Sequence, residues 1–171
     1  MKIREWYSVY ARETTCPDPQ AMVAALRPRV KDITLSFPDG EGWEQGSIFL
    51  APERLPLLNR EIAPFITLSR RTNNLAEQLS WSTGLVVNNG NWPGSEHRET
   101  LLSHLKATGQ VINIMPMPMV RVAKMARICE QLCGYLCREL NGLIQVYQEG
   151  FFSREGESLF PKNPIHRLKT S

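Results

Sequence analysis

The chain has 171 residues, 42% of them hydrophobic and 22% charged, which excludes a disordered or collagen-like chain and leaves room for one well-buried core and little for two. Its net charge is only +3 and its Lys and Arg are scattered, so nucleic acid is not an expected partner. The densest basic groups, Arg27/Arg29/Lys31, Arg70/Arg71 and Arg121/Lys124/Arg127, read as solvated helix ends and faces.

The opening "MKIREWYSVYARE" carries too many charges for a signal peptide. Its middle, "EWYSVYA", alternates aromatic and branched residues as a strand does. A helix follows in "TTCPDPQAMVAALRPRV". Asp18 is its expected N-cap, Pro19 takes the first helical position and Pro28 limits its length. "DITLSF" and "GSIFLA" predict two short strands joined by the Gly- and Asp-rich turn "PDGEGWEQ", with Trp43 an anchor or surface aromatic. Pro52, Pro56 and Pro64 argue against a continuous helix over "APERLPLLNREIAPFITLSRR", which predicts short turns there.

From residue 72 onward an amphipathic segment, a glycine and an aliphatic strand recur three times. The glycines are Gly84, Gly109 and Gly142, each placed where a left-handed residue would end a helix. The strands that follow are "LVVNN", "QVINIM" and "LIQVYQ", all expected to be interior. A final hairpin through "EGFFSREGES" and "SLF" leads into a polar tail. The fold expected is a single α+β domain over 1–160, with a tail at 161–171. It opens βαββ, continues with three helix-Gly-strand units on a mixed sheet, and closes with the hairpin.

Cys129, Cys133 and Cys137 are three of the four cysteines and stand four residues apart. On a helix they join Val122, Met125, Leu132, Leu136 and Leu140 in one apolar stripe, where a free thiol behaves as a small hydrophobe. The outer two stand about 12 Å apart along such a helix, so all three cannot reach one metal ion. They read as core, and no metal or other cofactor is expected. Gly134, among them, reads as a place where a neighbouring element approaches closely. Cys16, beside a helix start, lacks an identifiable histidine partner for nucleophilic work.

Two surfaces remain as candidates. The alternating "IMPMPMV" presents Met115, Met117 and Met119, adaptable apolar side chains that with Trp43 and Trp92 suit a protein partner. The loop "NNGNWPGSEHRET" sets Asn89, Gly90, Gly94, Ser95 and His97 before a helix start, where backbone amides can hold an anion or ligand. It lacks the lysine of a phosphate-binding loop.

The closing segment "NGLIQVYQEGFFSREGESLF" joins a helix ending in NG, a strand, an acidic EG turn and a Phe-rich hairpin. Over about residues 128–160 it resembles the final module of small bacterial α+β proteins, several of them similar to immunity proteins that neutralise toxins. The charged N-terminus and the clustered cysteines predict a cytoplasmic protein and the lack of a catalytic constellation a non-catalytic one, while the resemblance implies that it occludes a toxin and transfers no site residue. The alternative is a small enzyme or ligand-binding domain using the loop 88–95. No membrane association is expected.

Overall fold

The computed structural model describes residues 6–28, 33–50, 64–88, 95–117, 125–147 and 149–161. In chain order these form β1 (Tyr7–Ala11), α1 (Pro19–Leu26), β2 (Ile33–Ser36), β3 (Gln45–Leu50), β4 (Ile66–Arg71), α2 (Ala76–Asn88), a 3-10 turn (Ser95–His97) and α3 (Arg98–Lys106). Then come β5 (Gln110–Pro116), α4 (Met125–Leu140), β6 (Gly142–Val146), β7 (Gly150–Phe152) and β8 (Ser158–Pro161). The eight strands make one sheet in the order β2-β3-β4-β5-β1-β6-β7-β8. The α+β class holds. The sheet, expected to be mixed, is antiparallel at every described pairing.

Strand β1 lies near the middle of the sheet and is buried along its length, because helices cover both of its faces. Its period of two divides it cleanly. Tyr7, Val9 and Ala11 point into a core shared with α1 and α4, and Tyr10 points into a second core with α2 and α3. The register carries that division sideways: Tyr7 faces Ile114 and Val146, and Val9 faces Ile112 and Ile144.

Helix α1 begins as its sequence dictates, with the Asp18 carboxylate accepting from the Gln20 and Ala21 amides at 3.2 and 3.1 Å. Helix α4 buries Met125, Ile128, Cys129, Leu132, Cys133, Leu136, Cys137 and Leu140 on one stripe. Each of its leucines withdraws enough apolar surface to stabilise the fold by about 2 kcal/mol.

On the opposite face a hydrogen-bonded cluster seats α2. The Tyr10 hydroxyl donates to Gln145 Oε1 at 2.8 Å and lies 2.7 Å from Ser82 Oγ, while Ser8 donates to Asn113 Oδ1 at 2.7 Å. His104 of α3 places its Nε2 2.8 Å from the Tyr10 carbonyl, which only accepts, so that nitrogen carries the proton. Burial pushes the imidazole pKa below its ordinary value, and this hydrogen bond partly offsets the shift.

Several expectations are corrected, and Gly109, expected to end its helix left-handed, has no positive φ. "LVVNN" is the second half of α2 and not a strand, and Gly84 lies inside the helix. Leu75, Leu79, Ser82 and Val86 recur at helical spacing against the second core, and this tertiary packing outweighs the glycine and the β-branched pair. "ITLSRR", read as turns, is the six-residue strand β4. At the end of α4 the left-handed residue is Asn141, at φ 51°, and not Gly142. Gly142 is needed for space instead, since a Cβ there would stand 2.9 Å from Val9 Cγ1. The strand β8 includes Pro161, the first residue of the expected tail, and 162–171 lie outside the described residues.

Candidate functional site

The sequence candidates do not come together. Trp43 is fully buried, set edge-on to Phe37 with ring centroids 4.9 Å apart, and its Nε1 donates to the Pro17 carbonyl at 2.9 Å. It is a core residue: the turn before β3 folds inward over the entry to α1, so the expected surface anchor presents no area to a partner. Met115, on β5, is 40% exposed, and Met117 is half-buried. Trp92, Met119, Asn89, Gly90 and Gly94 lie outside the described residues. Ser95 opens the 3-10 turn, and His97 meets only its neighbour Glu96 in a partly exposed pair at 3.7 Å.

The cysteine stripe is core. Burial pushes the Cys133 thiol well above its ordinary pKa, with its neighbours Cys129 and Cys137 adding to the shift, and it pushes Cys137 up to about 12. Neither supplies thiolate near neutral pH. Among the described residues no group of His, Cys, Asp and Glu is arranged to hold a metal ion, and no helix is long and apolar enough to cross a membrane. Iodoacetamide on the native chain is expected to alkylate Cys16, the half-buried thiol, and to spare the three on α4 until denaturant is added. Mass spectrometry of the labelled protein checks this, and rapid labelling of Cys133 would contradict the buried stripe.

What the fold does form is a cavity of about 480 Å³ between α4, β6, β7 and the turn leading to β8. Its floor is set by sheet register. Tyr7 and Val146 are paired across β1 and β6, and Ile144 and Phe152 across β6 and β7. All four line the cavity on the face that α4 covers. Its wall is α4, where Glu130, Gly134 and Arg138 succeed one another at intervals of four and so stand on one stripe. Ile144 and Phe152 are only partly buried, because α4 ends its coverage at β6 and leaves the surface of β7 to the cavity.

Gly134 was the one sign of this in the sequence, and its expected meaning is corrected. Among the described residues no other element approaches it closely: a Cβ there would meet only Arg138 Nη1 among them, at 3.4 Å. A glycine in mid-helix is less favourable than alanine by about 0.5–1 kcal/mol, and here it leaves bare backbone facing the cavity.

At the mouth Arg154 Nε donates to Glu155 Oε1, and that hydrogen bond holds the Glu155 carboxyl below its ordinary range. Arg138, near the C-terminal end of α4, and Arg154, Glu155 and Gly156 of the turn all line the cavity. Glu130 stands about 12 Å from Arg138 along the helix, at 1.5 Å per residue. The arrangement is an apolar floor under a charged rim, and its thiol, Cys133, is unionised.

The chain matches no family model, no curated protein and no solved structure.

Proposed function

We propose that this chain is a non-catalytic binding protein that holds a small amphipathic molecule in the cavity between α4, β6 and β7. The observation that carries this reading is a space of about 480 Å³ with an apolar floor, a charged rim and a glycine in its wall. Small-molecule sites run to about 300–1,000 Å³ and combine mostly apolar linings with a few convergent polar groups. This is the ligand-binding alternative moved from the loop 88–95 to a different part of the fold. Four free cysteines, three of them buried, fit a cytoplasmic location.

Thermal denaturation against a panel of amphipathic small molecules tests it. A compound at a hundred times its Kd adds about 2.7 kcal/mol of stability, which raises the midpoint of a chain this size by about 5–10 °C. Gly134→Leu is expected to fill the cavity, keep or raise the unliganded midpoint, and abolish the shift. A panel that moves neither protein, or moves both equally, contradicts the reading.

A second reading keeps the protein partner, a toxin by the resemblance of residues 128–160. What favours it is exposed apolar area on the other face of the sheet: Trp81 of α2 is 54% exposed and Met115 of β5 is 40% exposed. Affinity capture with Trp81→Ala as the control tests this reading. A partner retained equally by both proteins would contradict that surface.

A further inference from the structure

The charge at one end of the cavity selects a ligand. At the end near the β7–β8 turn stand Arg138, Arg154 and Glu155. The Arg154–Glu155 hydrogen bond neutralises one guanidinium there, and among the described residues Arg138 has no carboxylate partner. The carbonyls that end α4 would oppose an anion, but the last of them, that of Leu140, and the Asn141 carbonyl just beyond are already engaged. The Glu13 amide donates to the Leu140 carbonyl at 3.1 Å, and the Arg12 amide donates to the Asn141 carbonyl at 3.3 Å. Arg138 itself reaches back along the wall, with Nη1 poised over the bare backbone of Gly134. That guanidinium lines the same cavity as the apolar floor of Tyr7, Ile144, Val146 and Phe152.

Resting on the reading of this cavity as a ligand site, we propose that its ligand is an amphipathic carboxylate, with the acid group on Arg138 and the apolar body passing Gly134 onto the sheet floor. Guanidinium and carboxylate match in geometry as well as charge, since two parallel N–H groups meet two oxygens. Ammonium-bearing or neutral ligands of the same length lack that contact.

Calorimetric titration with decanoate, decanol and decyltrimethylammonium tests the assignment, using wild type, Arg138→Gln and Gly134→Leu. Wild type is expected to bind decanoate about tenfold or more tightly than decanol, the scale of a hydrogen bond to a charged group. Arg138→Gln should bring decanoate down to the affinity of decanol and leave decanol unchanged. Gly134→Leu should remove both. Added salt should weaken decanoate alone. Equal binding of decanoate and decanol, indifferent to Arg138→Gln but lost in Gly134→Leu, overturns the carboxylate and leaves the cavity as a site. Preference for decyltrimethylammonium overturns it in favour of a cationic ligand. No binding by any of the three, or binding that survives Gly134→Leu, overturns the site itself.

Discussion

Trp43→Ala is expected to destabilise the chain by about 3–5 kcal/mol, read as a fall in the urea midpoint with little change in slope. The indole is the largest of the fully buried side chains, and its loss leaves a void beside Phe37 and the start of α1. The same change leaves the Pro17 carbonyl without the indole N–H that satisfies it at 2.9 Å. Since domains of this kind are stable by only about 5–15 kcal/mol, such a loss brings the protein close to unfolding at ordinary temperature. Trp43→Phe separates the two contributions: most of the volume stays, the hydrogen bond goes, and the expected loss falls to about 1–2 kcal/mol. A change below about 1 kcal/mol in Trp43→Ala would mean that the turn before β3 is not packed as described.

Arg70→Met is the second large effect, at about 3 kcal/mol or more. The Arg70 side chain is only 9% exposed, and it ties three separate parts of the chain together. Nε donates to Gln110 Oε1 at 2.7 Å, Nη2 to the Thr14 carbonyl at 3.1 Å, and Nη1 to the Trp43 and Gly42 carbonyls at 3.4 and 3.5 Å. Gln110 extends the clamp by donating from Nε2 to the Thr15 carbonyl at 2.9 Å and to that of Glu13. Methionine fills much of the same volume, so the loss measured is mainly that of acceptors left buried without donors. Arg70→Lys should recover only part of it, because one ammonium cannot reproduce a planar fork reaching acceptors on three sides. Both variants are read by the same urea unfolding, and a neutral Arg70→Met would show that water satisfies those carbonyls.

These two residues also show where the sequence was readable and where it was not. The helical stripe of α4 and the alternation of β1 were legible because each is a local period that its own residues display. In the sequence Arg70 and Arg71 read as a solvated basic pair at a helix end or face, and "ITLSRR", after three prolines, reads as turns. Once it is a strand, Ile66, Leu68 and Arg70 share a face, and the arginine must point inward with the leucine. Trp43 was misplaced for a related reason: a Gly- and Asp-rich turn is normally at the surface, and nothing local says that it folds back over α1. "LVVNN" reads as an interior strand in the sequence, yet a short aliphatic run beside a glycine suits the inner face of a helix equally well. Packing of Val86 against the second core decided it.

The cavity was beyond local reading altogether. Its floor comes from β1, β6 and β7, and its wall from α4, so residues as far apart as Tyr7 and Phe152 meet only through sheet register. Gly134 alone hinted at it, as a helix position given up to space. The same logic explains why the cysteine stripe and the cavity lie side by side without sharing chemistry. Cys133 borders the space, yet burial keeps its thiol protonated, so it supplies shape and no nucleophile.

The proposed ligand site is the space between α4, β6 and β7. Methyl-labelled NMR of the chain, titrated with a library of small amphipathic fragments, tests it most directly. Saturable shifts confined to Ile144, Val146 and the methyl groups nearest them, absent in Gly134→Leu, are the expected result. Shifts that never saturate, or that gather instead around Met115 on the opposite face, would contradict it.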